Sequence, residues 1–156
     1  MAIMMIATSF APTQASGIEY ETTIVKEEVV PLSTKITTRY PVEKVRLNQG
    51  YHFFHPGLDL DGVVGDSIYP IKDGYVEAVE YSRFAYGNAV IVRHSEGYTS
   101  LYAHLSKIDV KKGDRLTTKD VIGEMGSTGR STGAHLHLEI RKNGFPVYPY
   151  GVLPRN

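Results

Sequence analysis

The sequence predicts an all-β protein, a compact antiparallel β-sheet domain, and three observations support that prediction. From Tyr40 onward, short runs in which apolar and polar residues alternate are separated by turn residues, a pattern typical of half-buried strands. Fifteen glycines and eight prolines interrupt the chain, and no long segment has the 3.6-residue apolar period of a helix. A length of 156 residues favours one domain with a single core.

The N-terminal residues differ in composition from the rest of the chain. We interpret residues 1–16 as an apolar leader, because they contain the apolar run of a secretory signal and a candidate cleavage position after Ala15. The run is far shorter than the roughly 20 residues that cross a bilayer, so we expect no membrane span. The leader has no Lys or Arg, which leaves a merely apolar terminus as the alternative. Residues 17–40 predict a spacer with one edge strand in "ETTIVKEEVV", for which a helix is the competing interpretation.

Residues 41–156 are predicted to form the folded domain, and its strands can be followed in order. "GYVEAVEYS" alternates from Tyr75, "NAVIVRHS" gives the next strand, and the turn "EG" joins that strand to "YTSLYAHL". "DRLTTKDVIGEMG" follows. "HLHLEIRKNG" then ends in Asn143-Gly144, a dipeptide that favours a tight hairpin turn.

Composition excludes several classes of function. Seventeen basic and seventeen acidic residues give a formal net charge of zero, so a broad basic surface for nucleic acid is not expected. The chain has no cysteine, which rules out disulfides and thiolate metal sites. A zinc ion would have to be held by histidine nitrogens and carboxylate oxygens. The absence of cysteine also fits an exported protein of the cell envelope. We expect the protein to be a monomer.

Histidines form two clusters that point to such a site. His135 and His137 are separated by one residue in "HLHLEI", so on a strand their side chains project from the same face. His55 and Asp59 are four residues apart in "HPGLD". Proline and glycine lie between them, so a tight loop rather than a helix would have to bring them together.

A third element, His104 in "YAH", would complete a catalytic zinc site. Such sites use three protein ligands and keep a fourth position for water, and a further histidine near that water could transfer protons. Spacing alone leaves open which of His135 and His137 touches the metal, and it also leaves open a packed, hydrogen-bonded polar cluster without metal.

Several longer motifs carry a family resemblance. "HPGLDL", "YGNAVIVRHSEGYTSLYAHLS", "VKKGDRL", "IGEMGSTGRSTGAHLHLEI" and "NGFPVYP" occur in this order between about Val42 and Pro149. Together they resemble the lysostaphin-type zinc endopeptidases (LytM-like, beta-lytic) of bacterial cell walls. The resemblance implies a compact antiparallel β-sheet domain of the duplicated-hybrid type, with a groove that contains one zinc ion and accepts peptidoglycan peptides.

The resemblance also implies roles for individual residues. His55, Asp59 and His137 would bind zinc, and His104 and His135 would be the catalytic pair. The function predicted in this way is hydrolysis of peptide bonds in peptidoglycan cross-links or bridges. The alternative is a non-catalytic domain of the same fold that binds the wall or activates an amidase.

Other residues have weaker signals. Arg130, within a glycine-rich loop, could meet a substrate carboxylate, although a solvated side chain is the default expectation for an arginine. Tyr86 is the aromatic residue most suited to a substrate contact. His94 at a strand end is expected to be structural, and His52 is expected at the surface or beside a ligand. The remaining aromatic residues near these motifs could line a groove, although core packing is their default expectation: Tyr51, Phe53, Phe54, Tyr81 and Phe84.

Overall fold

A computed structural model of the chain describes residues 38–155. The predicted leader, and the predicted spacer up to residue 37 with its candidate edge strand, lie outside the described residues. Within residues 38–155 there is no helix with the length and apolarity needed to cross a membrane.

The described chain is built from eleven strands and two short 3-10 turns, and every strand pair is antiparallel. The predicted all-β class is therefore confirmed. The strands are β1 (Leu47–Gln49), β2 (Leu58–Asp61), β3 (Ser67–Ile68), β4 (Gly74–Glu80), β5 (Asn88–His94), β6 (Tyr98–Leu105), β7 (Lys107–Ile108), β8 (Arg115–Leu116), β9 (Gly123–Glu124), β10 (His135–Lys142) and β11 (Phe145–Pro146), and the 3-10 turns are Ser95–Gly97 and Pro149–Gly151.

Two sheets are present in this part of the chain. The larger has the order β1-β2-β10-β6-β5-β4-β8, with β11 attached to β10 as a hairpin, and the smaller has the order β3-β9-β7. Asn143 and Gly144 join β10 to β11 with φ angles of 50° and 86°. Positive φ at both central residues is the requirement of a type I′ hairpin turn, so the predicted turn is confirmed.

Alternation along β10 separates the core from the opposite face of the large sheet. Leu136, Leu138 and Ile140 are fully buried in the main hydrophobic cluster, together with Leu58 and Leu60 of β2. The intervening residues of β10 project from the other face. The prediction that His135 and His137 share one face of the strand is therefore confirmed. Burial of the alternate residues of β10 in the core determines which face that is.

His94 has the structural role that its strand-end position predicts. Its ring is buried, Nδ1 donates to the backbone oxygen of Asp73 at 3.0 Å, and Nε2 lies 2.7 Å from Oγ of Ser100. The Ser100 hydroxyl is 2.8 Å from that of Tyr102, which accepts a hydrogen bond from the amide of Ile71. Burial lowers the pKa of His94 below 6.5, because desolvation disfavours the charged ring.

We expect this network to make stability depend on pH. The folded state binds fewer protons than the unfolded state near pH 6, so the contribution of His94 is complete above about pH 6.5 and is lost as the pH falls below that value. At pH 8, His94→Leu should lower the free energy of unfolding by about 1–3 kcal/mol.

Denaturant unfolding of both proteins between pH 8 and pH 5 measures the effect. The difference in free energy of unfolding between wild type and variant should shrink below pH 6.5, while titration of the other histidines cancels in the comparison. A difference that stays constant over this range would contradict the assigned role.

Candidate metal centre

Three side chains from the predicted clusters converge on one point. The distances are 3.0 Å between His55 Nε2 and Asp59 Oδ1, 2.7 Å between Asp59 Oδ1 and His137 Nδ1, and 3.1 Å between the two histidine nitrogens. Within residues 38–155 they form the one group of three or more metal-ligating side chains whose donor atoms lie close enough for a single ion. Two nitrogens and one carboxylate oxygen are a donor set suited to a transition metal.

Strand pairing brings two of these side chains together. Asp59 of β2 is directly opposite His137 of β10 in the antiparallel register, so the side chains stand next to each other on one face. His55 reaches the same point from the preceding loop, as the proline and glycine between it and Asp59 predict. Gly57 is required in that loop, because a Cβ atom there would lie 2.8 Å from Cε1 of His137 and 2.7 Å from the Leu138 carbonyl oxygen.

Hydrogen bonds fix which nitrogen of each ring faces the centre. Nδ1 of His55 is 3.0 Å from the carbonyl oxygen of Gly50. Nε2 of His137 is 3.3 Å from Oε1 of Glu139. Since both partners accept hydrogen bonds, these nitrogens carry protons, and His55 Nε2 and His137 Nδ1 are the nitrogens that face the centre and would bind a metal ion.

Glu139 is a functional residue that our sequence analysis missed. It is completely buried, it accepts a 2.5 Å hydrogen bond from the Tyr86 hydroxyl, and it accepts two from Arg141 at 3.0 and 2.6 Å. The signal was present, since Glu139 lies two residues after His137 and so shares its face of β10. This carboxylate holds the imidazole of His137 in orientation.

Charge pairing determines the pKa values around the centre. Burial alone would lower the pKa of His137, but hydrogen bonds to Asp59 and Glu139 raise it to about 9. Burial would raise the pKa of Glu139, yet hydrogen bonds from His137, Tyr86 and Arg141 hold it at about 2. Burial and the bond to Glu139 raise the pKa of Tyr86 to about 12. In the absence of a cation, a proton on His137 and the charge of Arg141 therefore balance the carboxylates of Asp59 and Glu139.

His104 and His135 form a second pair beside the three ligand side chains. Their ring centroids are 4.7 Å apart, and His135 Nε2 is 4.0 Å from Asp59 Oδ2. His104 Nδ1 donates to the carbonyl oxygen of Thr128 at 2.8 Å, and His135 Nδ1 donates to that of Gly133 at 2.9 Å. These bonds place the Nδ1 proton of each ring on the backbone side, so that Nε2 is the nitrogen of each ring that faces the cleft. Burial lowers the pKa of His104, which favours its neutral form.

All five histidine and aspartate side chains line one cleft with a volume of about 500 Å³. Gln49 and Phe54 border it on the β1–β2 side, and Tyr86 borders it from the loop before β5. The ring of Tyr86 also stacks on His137, with centroids 5.7 Å apart. Its hydroxyl is committed to Glu139. Arg130 lines the cleft from the glycine-rich loop before β10.

Core packing is the wrong expectation for four of the aromatic residues. Phe53 and Phe54 are 90% and 88% exposed, because they form the tip of a turn in which the backbones of His52 and His55 hydrogen-bond to each other in both directions. Phe84 and Tyr81 are also exposed, whereas Tyr51 packs against the core.

His52 lies beside a metal-ligand candidate without touching the centre. Its side chain is exposed and lies 3.0 Å from Gln49 Nε2. Its contribution to the centre is the backbone pairing that holds His55 in place.

The fold and the site together define an antiparallel β-sheet domain with a histidine–aspartate centre in a groove. Residues 53–149 match peptidase family M23. Because this match covers more than half of the chain, the chain belongs to peptidase family M23, a family of metallopeptidases. The resemblance to lysostaphin-type enzymes is confirmed.

Individual relatives agree with this assignment. The chain is 43% identical over 95 residues to the peptidoglycan DD-endopeptidase ShyC of Vibrio cholerae, an alignment that covers 61% of this chain and 22% of ShyC. A crystal structure of a zinc containing peptidase from Vibrio cholerae matches with 33% identity and a TM-score of 0.67, over 72% of this chain and 39% of that one.

Lysostaphin from Staphylococcus simulans, an antimicrobial peptidase, matches with 31% identity and a TM-score of 0.65 over 70% of this chain and 49% of that one. The chain spans about a fifth of the length of the curated relatives that it matches first.

We expect Glu139→Gln to weaken metal binding by about 10- to 100-fold, because the amide removes the charge that orients and polarises His137. Competition of the apoprotein with a chromophoric chelator for Zn²⁺ measures the affinity. Glu77→Gln is a matched control, since Glu77 also pairs with an arginine, Arg93, but outside the cleft. Equal Zn²⁺ affinity in the two variants would contradict the role of Glu139.

Proposed function

We propose that the chain is a zinc-dependent endopeptidase that hydrolyses peptide bonds in peptidoglycan cross-links or bridges. The observation that carries this proposal is the convergence of His55, Asp59 and His137 in one cleft, with the pair His104 and His135 beside them. Three ligands with two adjacent proton acceptors are the parts that hydrolysis of an amide requires.

The donor set fits zinc in composition and in spacing. Nitrogen and oxygen ligands bind tetrahedral zinc at about 2.0–2.2 Å, which places the ligand atoms roughly 3.3 Å from one another. The three donor atoms lie 2.7–3.1 Å apart, so small side-chain adjustments suffice. When bound, zinc would acidify a water molecule and polarise the scissile carbonyl group.

The chain's own residues would supply proton transfer and orientation. Nε2 of His104 or His135 would accept the proton that the attacking water releases and return it to the leaving nitrogen. Each ring is held for this task by its Nδ1 hydrogen bond to Thr128 or Gly133. Between these two transfers the ring that holds the proton is charged, and it would stabilise the negative charge that develops on the carbonyl oxygen.

The substrate class rests on the relatives. ShyC is named a peptidoglycan DD-endopeptidase, and other relatives are named DD-carboxypeptidase/endopeptidase. Peptidoglycan lies outside the cytoplasmic membrane, so we propose a location in the cell envelope, which is also what the leader predicted for residues 1–16 would require. Tyr86 and Arg130, which border the cleft, are proposed to face the bound peptide.

Substitution of a histidine of the proton-transfer pair and of a metal-binding histidine should separate the effects on catalysis from those on metal binding. His104→Ala should lower kcat by about 100- to 10,000-fold and keep one zinc per chain. His137→Ala should lose the metal, since it removes one of three ligands. Metal content by atomic emission and turnover measure the two effects. Retained zinc together with full activity in both variants would contradict the assigned site.

The first experiment is incubation of the zinc-loaded chain with purified peptidoglycan, followed by mass spectrometry of the released fragments. We expect new fragments from the wild type, and their masses identify the bond that is cleaved. His104→Ala should release none. If the wild type with bound zinc also releases no fragments, the proposed peptidase activity is wrong, and the alternative is a domain that binds the wall or activates another hydrolase.

A further inference from the structure

Arg130 is the one lysine or arginine that lines the cleft in the described part of the chain. Its side chain is exposed, and none of the ion pairs found among residues 38–155 includes it. Arg93 and Arg141 of the same domain, by contrast, pair with Glu77 and Glu139. A guanidinium group with no acidic partner at the wall of a binding cleft is suited to a carboxylate of the ligand.

The backbone that bears Arg130 is held firmly. Its amide donates to the carbonyl oxygen of Ala85 at 2.9 Å. The neighbouring Gly129 has φ of +68°, and a Cβ atom on it would lie 2.3 Å from the amide nitrogen of Gly87. Thr128 adds hydrogen bonds from its hydroxyl to Leu105 O and from the amide of Asn88 to that hydroxyl.

This local structure fixes the backbone from which the Arg130 side chain extends at the edge of the cleft. The loop that carries Arg130 also supplies the carbonyl oxygen of Thr128 that orients His104. The attachment point of the cation is thus fixed relative to the proton-transfer pair. A ligand group that binds Arg130 would therefore position the scissile bond relative to His104.

Wall peptides differ in the charge next to the scissile nitrogen. When the amine comes from a diaminopimelate-type residue, or from a C-terminal amino acid, the carbon bonded to that nitrogen carries a free carboxylate. When the amine comes from a lysine side chain or from a glycine inside a bridge, that carbon carries none. A cation at the cleft wall distinguishes these two classes of substrate.

We propose that Arg130 binds a carboxylate on the carbon next to the scissile nitrogen and so makes the cleft selective for substrates that carry this group. The proposal rests on the proposed peptidase function and adds the specificity of the same site. The planar guanidinium group forms two parallel hydrogen bonds to a carboxylate, which lysine cannot reproduce.

Three synthetic peptides test the proposal with the zinc-loaded full chain. The first is a cross-linked dimer with a D-alanyl–diaminopimelate bond and a free carboxylate on the carbon next to the scissile nitrogen. The second is the same dimer with that carboxylate amidated, and the third is a linear stem peptide that ends in D-alanyl-D-alanine. Chromatography of the products gives kcat/KM for each.

The wild type should cleave the free dimer with a kcat/KM about 10- to 100-fold above that of the amidated dimer, the factor expected for a charge-assisted hydrogen-bonded pair. Arg130→Gln should reduce this ratio to about one, and Arg130→Lys should retain part of it. Arg115→Gln, which removes an exposed arginine of β8 outside the cleft, should keep the full ratio. Cleavage of the linear peptide would identify a terminal carboxylate as a second source of the same group.

Results that contradict the role of Arg130 can be distinguished from results that contradict the proposed function. Equal cleavage of the free and amidated dimers by the wild type, or a full preference retained in Arg130→Gln, would overturn the role of Arg130 and leave the peptidase function intact. An equal loss on both dimers in Arg130→Gln would overturn it as well, because that result indicates a structural effect. Failure of the wild type to cleave any of the peptides would overturn the proposed function and this specificity with it.

Discussion

The register between β2 and β10 is the constraint on which the rest of the site depends. It places His137 opposite Asp59, and a slip of one residue would turn every side chain of β10 to the other face. The core prevents such a slip, because Leu136 and Leu138 are fully buried on the opposite side of the strand. Burial of leucines in the hydrophobic core thus determines where the metal-ligating atoms lie.

The pairing of buried charges is the second constraint on the site. Glu139 has no exposed surface and Asp59 very little, and charges in such positions are tolerated only when they are paired. Arg141 and Tyr86 satisfy Glu139, and Glu139 in turn satisfies the outer nitrogen of His137. A cation at the centre would take over the role of the proton on His137, so metal binding and protonation compete for the same nitrogen.

Sequence patterns predicted much of this site because strand geometry is simple. Period-two alternation sufficed to place His135 and His137 on one face, and Pro56 with Gly57 sufficed to predict a loop in front of Asp59. The role of Glu139 depends on burial and on a tertiary contact with Tyr86, which is 53 residues away in the chain, in addition to the pairing with Arg141 on the same strand. The spacing of the residues predicts on which face of β10 Glu139 lies, but it does not distinguish a buried, paired carboxylate from a solvated one.

Prediction failed for the exposed phenylalanines for a different reason. Hydrophobicity predicts burial only on average, and Phe53 and Phe54 occupy a turn tip that is fixed by backbone pairing of the residues on either side. Arg130 is a different case. The glycine-rich loop indicated a residue that could meet a substrate, and Arg130 is exposed at the cleft wall, but the packing of its loop against Ala85 and Gly87 could not be read from a local pattern.

The backbone of His104 joins the two halves of the site. Its φ of 64° is unusual for a residue other than glycine, and it occurs where the register between β5 and β6 shifts. Such a conformation costs roughly 1–3 kcal/mol and persists only where surrounding contacts determine it. Here the amide of His104 donates to the backbone oxygen of Tyr86, while the side chain of Tyr86 holds Glu139 behind the ligand His137. Tyr86 is therefore connected to the proposed proton-transfer pair through its backbone and to the proposed metal ligands through its hydroxyl, so a displacement of its loop would disturb both at once.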